Sequence, residues 1–248
     1  MHYFIFGDKD ATIYSGGTTS SRNTGADEIL EINKSVAQNG SVQNVSRVLI
    51  QFDYTDISAS VQSGKIPSTA KYYLNLYDAS SEELSRTQNL FAYMVSGSEW
   101  TEGDGKLDDD PVTTNGVSYQ YRNQDETTPW VTGSVLTDGG SWFTGSQSSE
   151  FEVSSSATLT KATRDVRLDV TDLVSNHIYS SSVYPNRGFI LKRQSITPTD
   201  RTFKFNSGSD STNDESDSTR LGNLKFFSTE THTIYPPKLE VMWDDSSW

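Results

Sequence analysis

Ser46-Arg47-Val48-Leu49-Ile50-Gln51-Phe52-Asp53-Tyr54 is the most continuous apolar run in an otherwise polar sequence. Its β-branched, aromatic and large aliphatic residues suit a pleated, buried surface. It is short for a helix, and no capping pattern precedes it. As a strand it places Val48, Ile50 and Phe52 on one face and Leu49 and Gln51 on the other. That division predicts a central strand of a β-sandwich, with later strands packed over Ile50 and Phe52.

On the N-terminal side, Tyr3-Phe4-Ile5-Phe6 and Ala11-Thr12-Ile13-Tyr14 read as strands around Gly7-Asp8-Lys9-Asp10. Glu28-Ile29-Leu30-Glu31-Ile32 reads as a third strand, between polar loops at 15–25 and 33–44. On the C-terminal side, residues 56–69 read as a loop with a helical turn at 58–63. Residues 70–77 then alternate, with Tyr72, Leu74 and Leu76 opposed to Tyr73, Asn75 and Tyr77, and 88–95 form the next strand. Residues 97–149 are polar and Gly-rich, and carry Trp100, Trp130 and Trp142; they predict an elaborated insert with a short hairpin near 117–122. Val166-Arg167-Leu168-Asp169-Val170 is a strand. Thr171 reads as the cap of a short helix carrying Leu173, Val174 and Ile178. Strands at 188–192, 201–205, 224–227 and 236–243 follow, the last entered through Pro236 and Pro237, where a missing N–H is tolerated. About ten strands, one short helix and a long polar insert predict an all-β, antiparallel, jelly-roll-type sandwich as a single domain over 1–248.

Apolar residues make up 33% of the 248, yet aromatics reach 11%. A disordered chain would be poor in rings, so large rings fill this core beneath a Ser-, Thr-, Asn- and Asp-rich surface. The formal charge of -13 argues against nucleic acid and anionic membranes as partners, because phosphate binding needs clustered Lys and Arg. It favours solubility and divalent cations, the simplest reading being a solvated acidic surface. With no cysteine, disulfides and thiolate metal sites are excluded. Met1-His2-Tyr3-Phe4-Ile5-Phe6-Gly7-Asp8 has no basic n-region and too short an apolar run for a signal peptide. No window approaches a membrane span, so the expectation is cytosolic synthesis without secretory export and without membrane insertion.

Candidate sites are few. His2, His177 and His232 lack metal-ligand spacing, and no nucleophile elbow, phosphate loop or dinucleotide fingerprint occurs. Glu99-Trp100-Thr101-Glu102 invites a glycosidase reading, with two carboxylates beside a ring. On a strand end, however, Glu99 and Glu102 point to opposite faces. Asp104, Asp108, Asp109 and Asp110 offer hard oxygen ligands for calcium on a flexible loop, against the plainer reading of a solvated acidic loop. Asp210, Asp214, Glu215 and Asp217 form a poorer version of the same idea. Trp130 and Trp142, with Tyr119 and Tyr121, either stack on a glycan or partner protein or pin the insert to the sandwich. Trp248, at the end of Asp244-Asp245-Ser246-Ser247-Trp248, is a candidate docking ring.

Several phrases recur in order in a known family. They are Asp10-Ala11-Thr12-Ile13-Tyr14-Ser15, Ser46 to Asp53, Leu74-Asn75-Leu76-Tyr77, Trp100-Thr101-Glu102, Leu168 to Val174, Asn186 to Lys192 and Phe227-Ser228-Thr229-Glu230 before Pro236 to Val241. From Asp10 to Trp243 the chain resembles DNRLRE-domain or disaggregatase-related β-sandwich modules. It departs from them in the long 103–145 insert and in lacking a Gly/Tyr-rich phrase after the first strand. The resemblance implies a non-catalytic, carbohydrate-associated sandwich. In overall style the chain is also similar to virion structural proteins of contractile-tailed bacteriophages of marine cyanobacteria. Taken together, the expectation is a non-enzymatic virion protein of tail, baseplate, fibre or capsid. It would contact other virion proteins, or itself as a homo-oligomer, through loops. The alternative is a carbohydrate-binding module for host-surface glycans.

Overall fold

The computed structural model describes residues 1–40, 42–82, 88–132, 135–143, 154–193, 215 and 222–244. Among these are sixteen strands and two helices. Four antiparallel pairs are nested one inside the next along the chain. β1 (His2–Phe6) pairs with β16 (Lys238–Met242), and β6 (Ser46–Gln51) with β14 (Phe189–Arg193). β7 (Lys71–Leu76) pairs with β13 (Val166–Asp169), and β8 (Gln88–Met94) with β12 (Ser154–Leu159). Alternate pairs lie in alternate sheets, so a long hairpin is rolled into a two-sheet jelly roll. One sheet runs β1-β16-β7-β13. The other runs β12-β8-β14-β6-β2, with β2 (Lys9–Tyr14) added beyond β6.

The alternation read in the sequence holds in the packing. Val48, Ile50 and Phe52 face the core between the sheets, where they meet Leu74, Leu168, Leu239 and Val241 from the four-stranded sheet. Leu49 faces the opposite side and joins a second apolar layer with Ala11, Ile13, Tyr93 and Ile190. The five-stranded sheet is therefore buried on both faces, a condition that favours continuous apolar strands over alternating ones. β6 and β14 are continuous in this sense because two different layers claim their alternate residues. A ribbon of β3 (Ile29–Ile32) and β15 (Leu224–Phe227) adds Leu30, Ile32, Leu224 and Phe226 to the core between the sheets.

Local elements differ from the sequence expectation in several places, among them the short pair β4 (Ser35–Val36) and β5 (Val42–Gln43) within the stretch read as a loop. The turn at 58–63 is a full helix, α1 (Thr55–Gln62), so there are two helices among the described residues rather than one. It meets α2 (Thr171–Ser180), with Tyr54 edge-on to His177 at 5.2 Å. Thr171 does not cap α2: Val170 is the N-cap residue, and the Thr171 hydroxyl instead accepts the Tyr72 N–H at 3.0 Å. A neighbouring strand end outcompeted the local cap. The hairpin in the insert lies later than 117–122, as β9 (Tyr121–Asn123), β10 (Thr128–Thr132) and β11 (Val135–Thr137). The Ser-rich β12 carries little apolar signal. The strand expected at 201–205 and the docking ring Trp248 fall outside the described residues.

Candidate functional site

The insert leaves from the tip of the innermost hairpin, between β8 and β12, and folds back over the outer face of the five-stranded sheet. Trp100, Val117 and Trp130 pack there against Leu49, Phe91, Tyr93 and Ile190. Trp130 is wholly buried and its indole N–H donates to the Ser118 carbonyl at 3.0 Å. Of the two roles read for this ring, the pinning role is therefore the one the fold realises, and Trp130 has no surface to offer a partner. Trp100 is equally buried; its N–H donates to the Arg187 carbonyl at 2.9 Å, and the Lys9 ammonium sits 4.3 Å from its ring centre. Tyr121 is half-buried, its N–H donating to the Ser118 hydroxyl at 3.1 Å.

A backbone crossing ties the insert to the loop after β2, and Asn23 organises it. Its amide donates to the carbonyls of Glu102 at 2.5 Å and Val117 at 2.9 Å. Its oxygen accepts from the N–H groups of Gly105 at 2.8 Å and Gly25 at 3.2 Å. Gly103 and Gly116 pass so closely that a Cβ on Gly116 would lie 2.6 Å from the Gly103 Cα, and both adopt positive φ, at 84° and 95°. Only glycine satisfies both demands. The sequence gives no hint of Asn23, because one Asn in a polar loop carries no signal of burial. Asn23→Ala strands buried donors and acceptors and is expected to cost about 3 kcal/mol or more of unfolding free energy, measured by urea denaturation.

Trp142 and Tyr119 lie beside an ionic cluster. The Arg47 guanidinium donates to both oxygens of Glu215, at 2.9 and 2.7 Å, and also to the Gly139 carbonyl. The wholly buried Lys192 ammonium lies 3.9 Å from Glu215 and 4.0 Å from the Trp142 ring centre. Arg47 sits 5.2 Å from Trp142 and 5.6 Å from Tyr119. Burial pulls the Glu215 carboxyl up, but the charges of Arg47 and Lys192 outweigh it and hold the group below its ordinary value. In the sequence Glu215 belongs to an acidic loop suited to calcium; its carboxylate instead neutralises buried cations. Asp210, Asp214 and Asp217 lie outside the described residues.

The other acidic candidates are drawn to separate partners. The Asp104 carboxylate accepts from the Asn115 amide. Asp109 accepts from the Lys106 N–H at 2.8 Å and the Thr113 hydroxyl at 2.6 Å, bonds that lower its pKa. Asp108 and Asp110 are on the rim of a cleft of about 520 Å³. Arg22 reaches into the same loop and donates to the carbonyls of Leu107 and Asp109, at 2.5 and 3.2 Å. A guanidinium thus holds two backbone carbonyls of this loop. Among the described residues, no three His, Cys, Asp or Glu side chains gather as a metal site. The histidines are apart in their bonding: His2 meets Glu240 at 2.8 Å, His177 meets the Tyr184 carbonyl at 2.8 Å, and His232 is exposed.

Glu99 and Glu102 are likewise separated in role. Glu99 pairs with Lys9 at 2.8 Å and Arg187 at 2.6 Å at the surface. Glu102 accepts the Asp10 N–H at 2.8 Å, and the Thr24 hydroxyl takes the Thr12 N–H at 3.0 Å. These side chains close the outer edge of β2, which would otherwise present unpaired backbone groups. Asp10 itself is buried. One of its oxygens accepts the Thr229 N–H at 2.8 Å and the other has no partner. Burial pushes its carboxyl up to about 8, with the neighbouring Glu102 charge adding to the rise, while burial takes Glu102 up to about 7. The unfolded chain releases these protons near the ordinary carboxylate values. Between about pH 4 and 8 the native state therefore binds more protons, and stability falls as pH rises through that window. The melting temperature is expected to drop between about pH 5.5 and pH 8.5, and Asp10→Asn to flatten that slope.

The exposed rings are elsewhere. Tyr3, Phe4 and Phe6 on β1 are 53%, 47% and 57% exposed, and Ile234 and Tyr235, ahead of β16, are 73% and 44% exposed. On the outer face of the four-stranded sheet, Arg167 stacks 3.5 Å from the Tyr73 ring centre, and Lys238 lies 5.4 Å from Phe6 and 5.1 Å from Tyr77. Tyr235 packs on Tyr77 at 5.3 Å. Glu240, in the middle, is bonded by Arg167 at 2.9 Å and His2 at 2.8 Å. In the sequence β1 reads only as a strand; its position at a sheet edge, which leaves its rings uncovered, depends on the roll of the whole chain. No helix among the described residues is long and apolar enough to cross a membrane. No protein-family model matches the chain, and no curated protein matches it.

Proposed function

We propose that the chain is a non-enzymatic structural component of a bacteriophage particle, held in place by protein–protein contacts of its exposed surface. The observation that carries this reading is the outer face and edge of the four-stranded sheet, where Tyr3, Phe4, Phe6, Ile234 and Tyr235 stand exposed on a polar chain. Several bare rings at one sheet edge mark an interaction site. The virion setting rests on the sequence resemblance. The polar clusters support the same reading, since Glu99, Glu102, Asn23 and Glu215 are all engaged in holding loops to the sheets. Mass spectrometry of purified particles is expected to find the chain at a fixed ratio to the major structural proteins, with immunogold labelling on one particle feature. Particles that lack it would sink the proposal.

One observation favours a second reading, a glycan-binding module. Tyr73, Tyr77 and Tyr235 lie on one open face with Asn75, Arg167 and Lys238, rings beside hydrogen-bonding side chains. Such a face suits sugar rings. This moves the contact from the buried Trp130 to the sheet face. A glycan array followed by titration calorimetry on Tyr77→Ala and Tyr235→Ala separates the two readings, since a structural part binds no sugar and loses nothing in these variants.

A further inference from the structure

We infer that β1 is a self-complementary edge through which two copies of this chain pair, joining their four-stranded sheets into one. This deepens the assembly reading above and rests on it.

The direction of the backbone bonds fixes which groups β1 leaves open. Met1 and Trp243 exchange both N–H···O bonds, at 2.5 and 3.1 Å, and the Gly7 N–H donates to the Pro237 carbonyl at 3.0 Å. In an antiparallel ladder, inward and outward bonding alternate along the strand. Tyr3 and Ile5 therefore bond inward to β16, while the N–H and C=O groups of His2, Phe4 and Phe6 point away from the sheet. A second copy related by a two-fold axis at Phe4 sets Phe4 against Phe4 and His2 against Phe6. Every outward group then meets a partner, without a shift in register. Side chains fall into place as well: His2, Phe4 and Phe6 share the outer face, and Ile5 points toward the core between the sheets.

β1 and β2, both edge strands, contrast sharply. β2 has its backbone covered by Glu102 and Thr24. β1 has no Lys, Glu, Asp, Pro or bulge, the usual guards against edge pairing. Charge also selects this edge. Two chains of net charge -13 repel each other over most of their surface. The strand residues of the four-stranded sheet carry Lys71, Arg167 and Lys238 against Glu240 and Asp169, so this sheet lacks the acidic excess of the whole chain and copies meet here with less repulsion. Half-exposed rings offer ~100 Å² each, so Tyr3, Phe4, Phe6 and the edge backbone bring roughly 400 Å² per copy. A stable dimer buries about 800 Å² per partner, so the pair formed is weak and reversible.

Sedimentation equilibrium of the purified chain tests this, with Phe4→Pro and Phe4→Lys as variants. Proline at position 4 removes an outward N–H and leaves the β16 ladder intact; lysine installs the missing guard. The wild type is expected to show reversible monomer–dimer association, and both variants to weaken it at least tenfold with unchanged circular dichroism. A wild type monomeric to about 200 µM overturns the inference, as does a dimer that Phe4→Pro and Phe4→Lys leave intact. Should either variant fail to fold, Phe4→Cys in this cysteine-free chain is expected to cross-link to its own copy through the new thiol, while the distant control Lys71→Cys does not. Equal cross-linking of the two overturns the inference. A chain found in particles but monomeric in solution removes the edge and leaves the assembly reading standing. A dimer absent from particles does the reverse.

Discussion

Glu215→Ala is expected to destabilise the chain by about 3–5 kcal/mol, the cost of removing one member of a buried, hydrogen-bonded ion pair. Glu215 is 8% exposed and holds Arg47 through two bonds, with the wholly buried Lys192 at 3.9 Å. Glu215→Gln keeps the shape and loses the charge, and should cost nearly as much. The triple variant Arg47→Met, Lys192→Met, Glu215→Leu should recover much of the loss, since a buried ion pair is often no better than apolar residues of similar volume. Urea denaturation of the four proteins checks the order, and the effect should persist in high salt because buried charges are poorly screened. If Glu215→Ala shifts the midpoint no more than a surface substitution does, the cluster is not an anchor. The group also sets an acid limit. Its carboxyl is held below the ordinary value, so its stabilisation is present above about pH 4.5 and is lost as pH falls through the lowered value. Asp10 acts with the opposite sign at neutral pH, so the two together place maximal stability in mildly acid solution.

Trp130→Ala is the second large effect, expected to cost about 3–5 kcal/mol through the cavity left by the ring and the Ser118 carbonyl left without its donor. The ring is fully buried in the layer that fastens the insert to the five-stranded sheet. Hydrogen exchange should therefore quicken first in β9 and β10, before β6 and β14, because the main core between the sheets does not contain Trp130. Uniform loss of protection across both sheets would mean that insert and sandwich open together.

These two residues show how differently one sequence speaks about its parts. Val48, Ile50 and Phe52 are legible because period-two alternation is a local property, and each face needs only to know that it is apolar. Glu215 is not. It meets Arg47 across 168 positions, and among Ser, Asn and Asp neighbours it looks like one more solvated or cation-binding acid. Thr171 is a cap's residue type one position too late, inside the helix, and its hydroxyl bonds instead to a neighbouring strand's backbone.

By itself the sequence determined the apolar strands of the two main sheets, the all-β class, the division of β6 into two faces and the exclusion of disulfides. These follow from side-chain shape, alternation and composition. Tertiary structure alone decided what covers each face, which rings are buried and which are bare. Trp130, by sequence either a contact ring or a pin for the insert, became the core of the insert layer, while Phe4 and Phe6, ordinary strand residues by sequence, became exposed. The physical reason is that burial is a property of neighbours. A jelly roll brings its neighbours together by nesting distant pairs, so which strand ends at the edge is settled only when the whole chain has rolled.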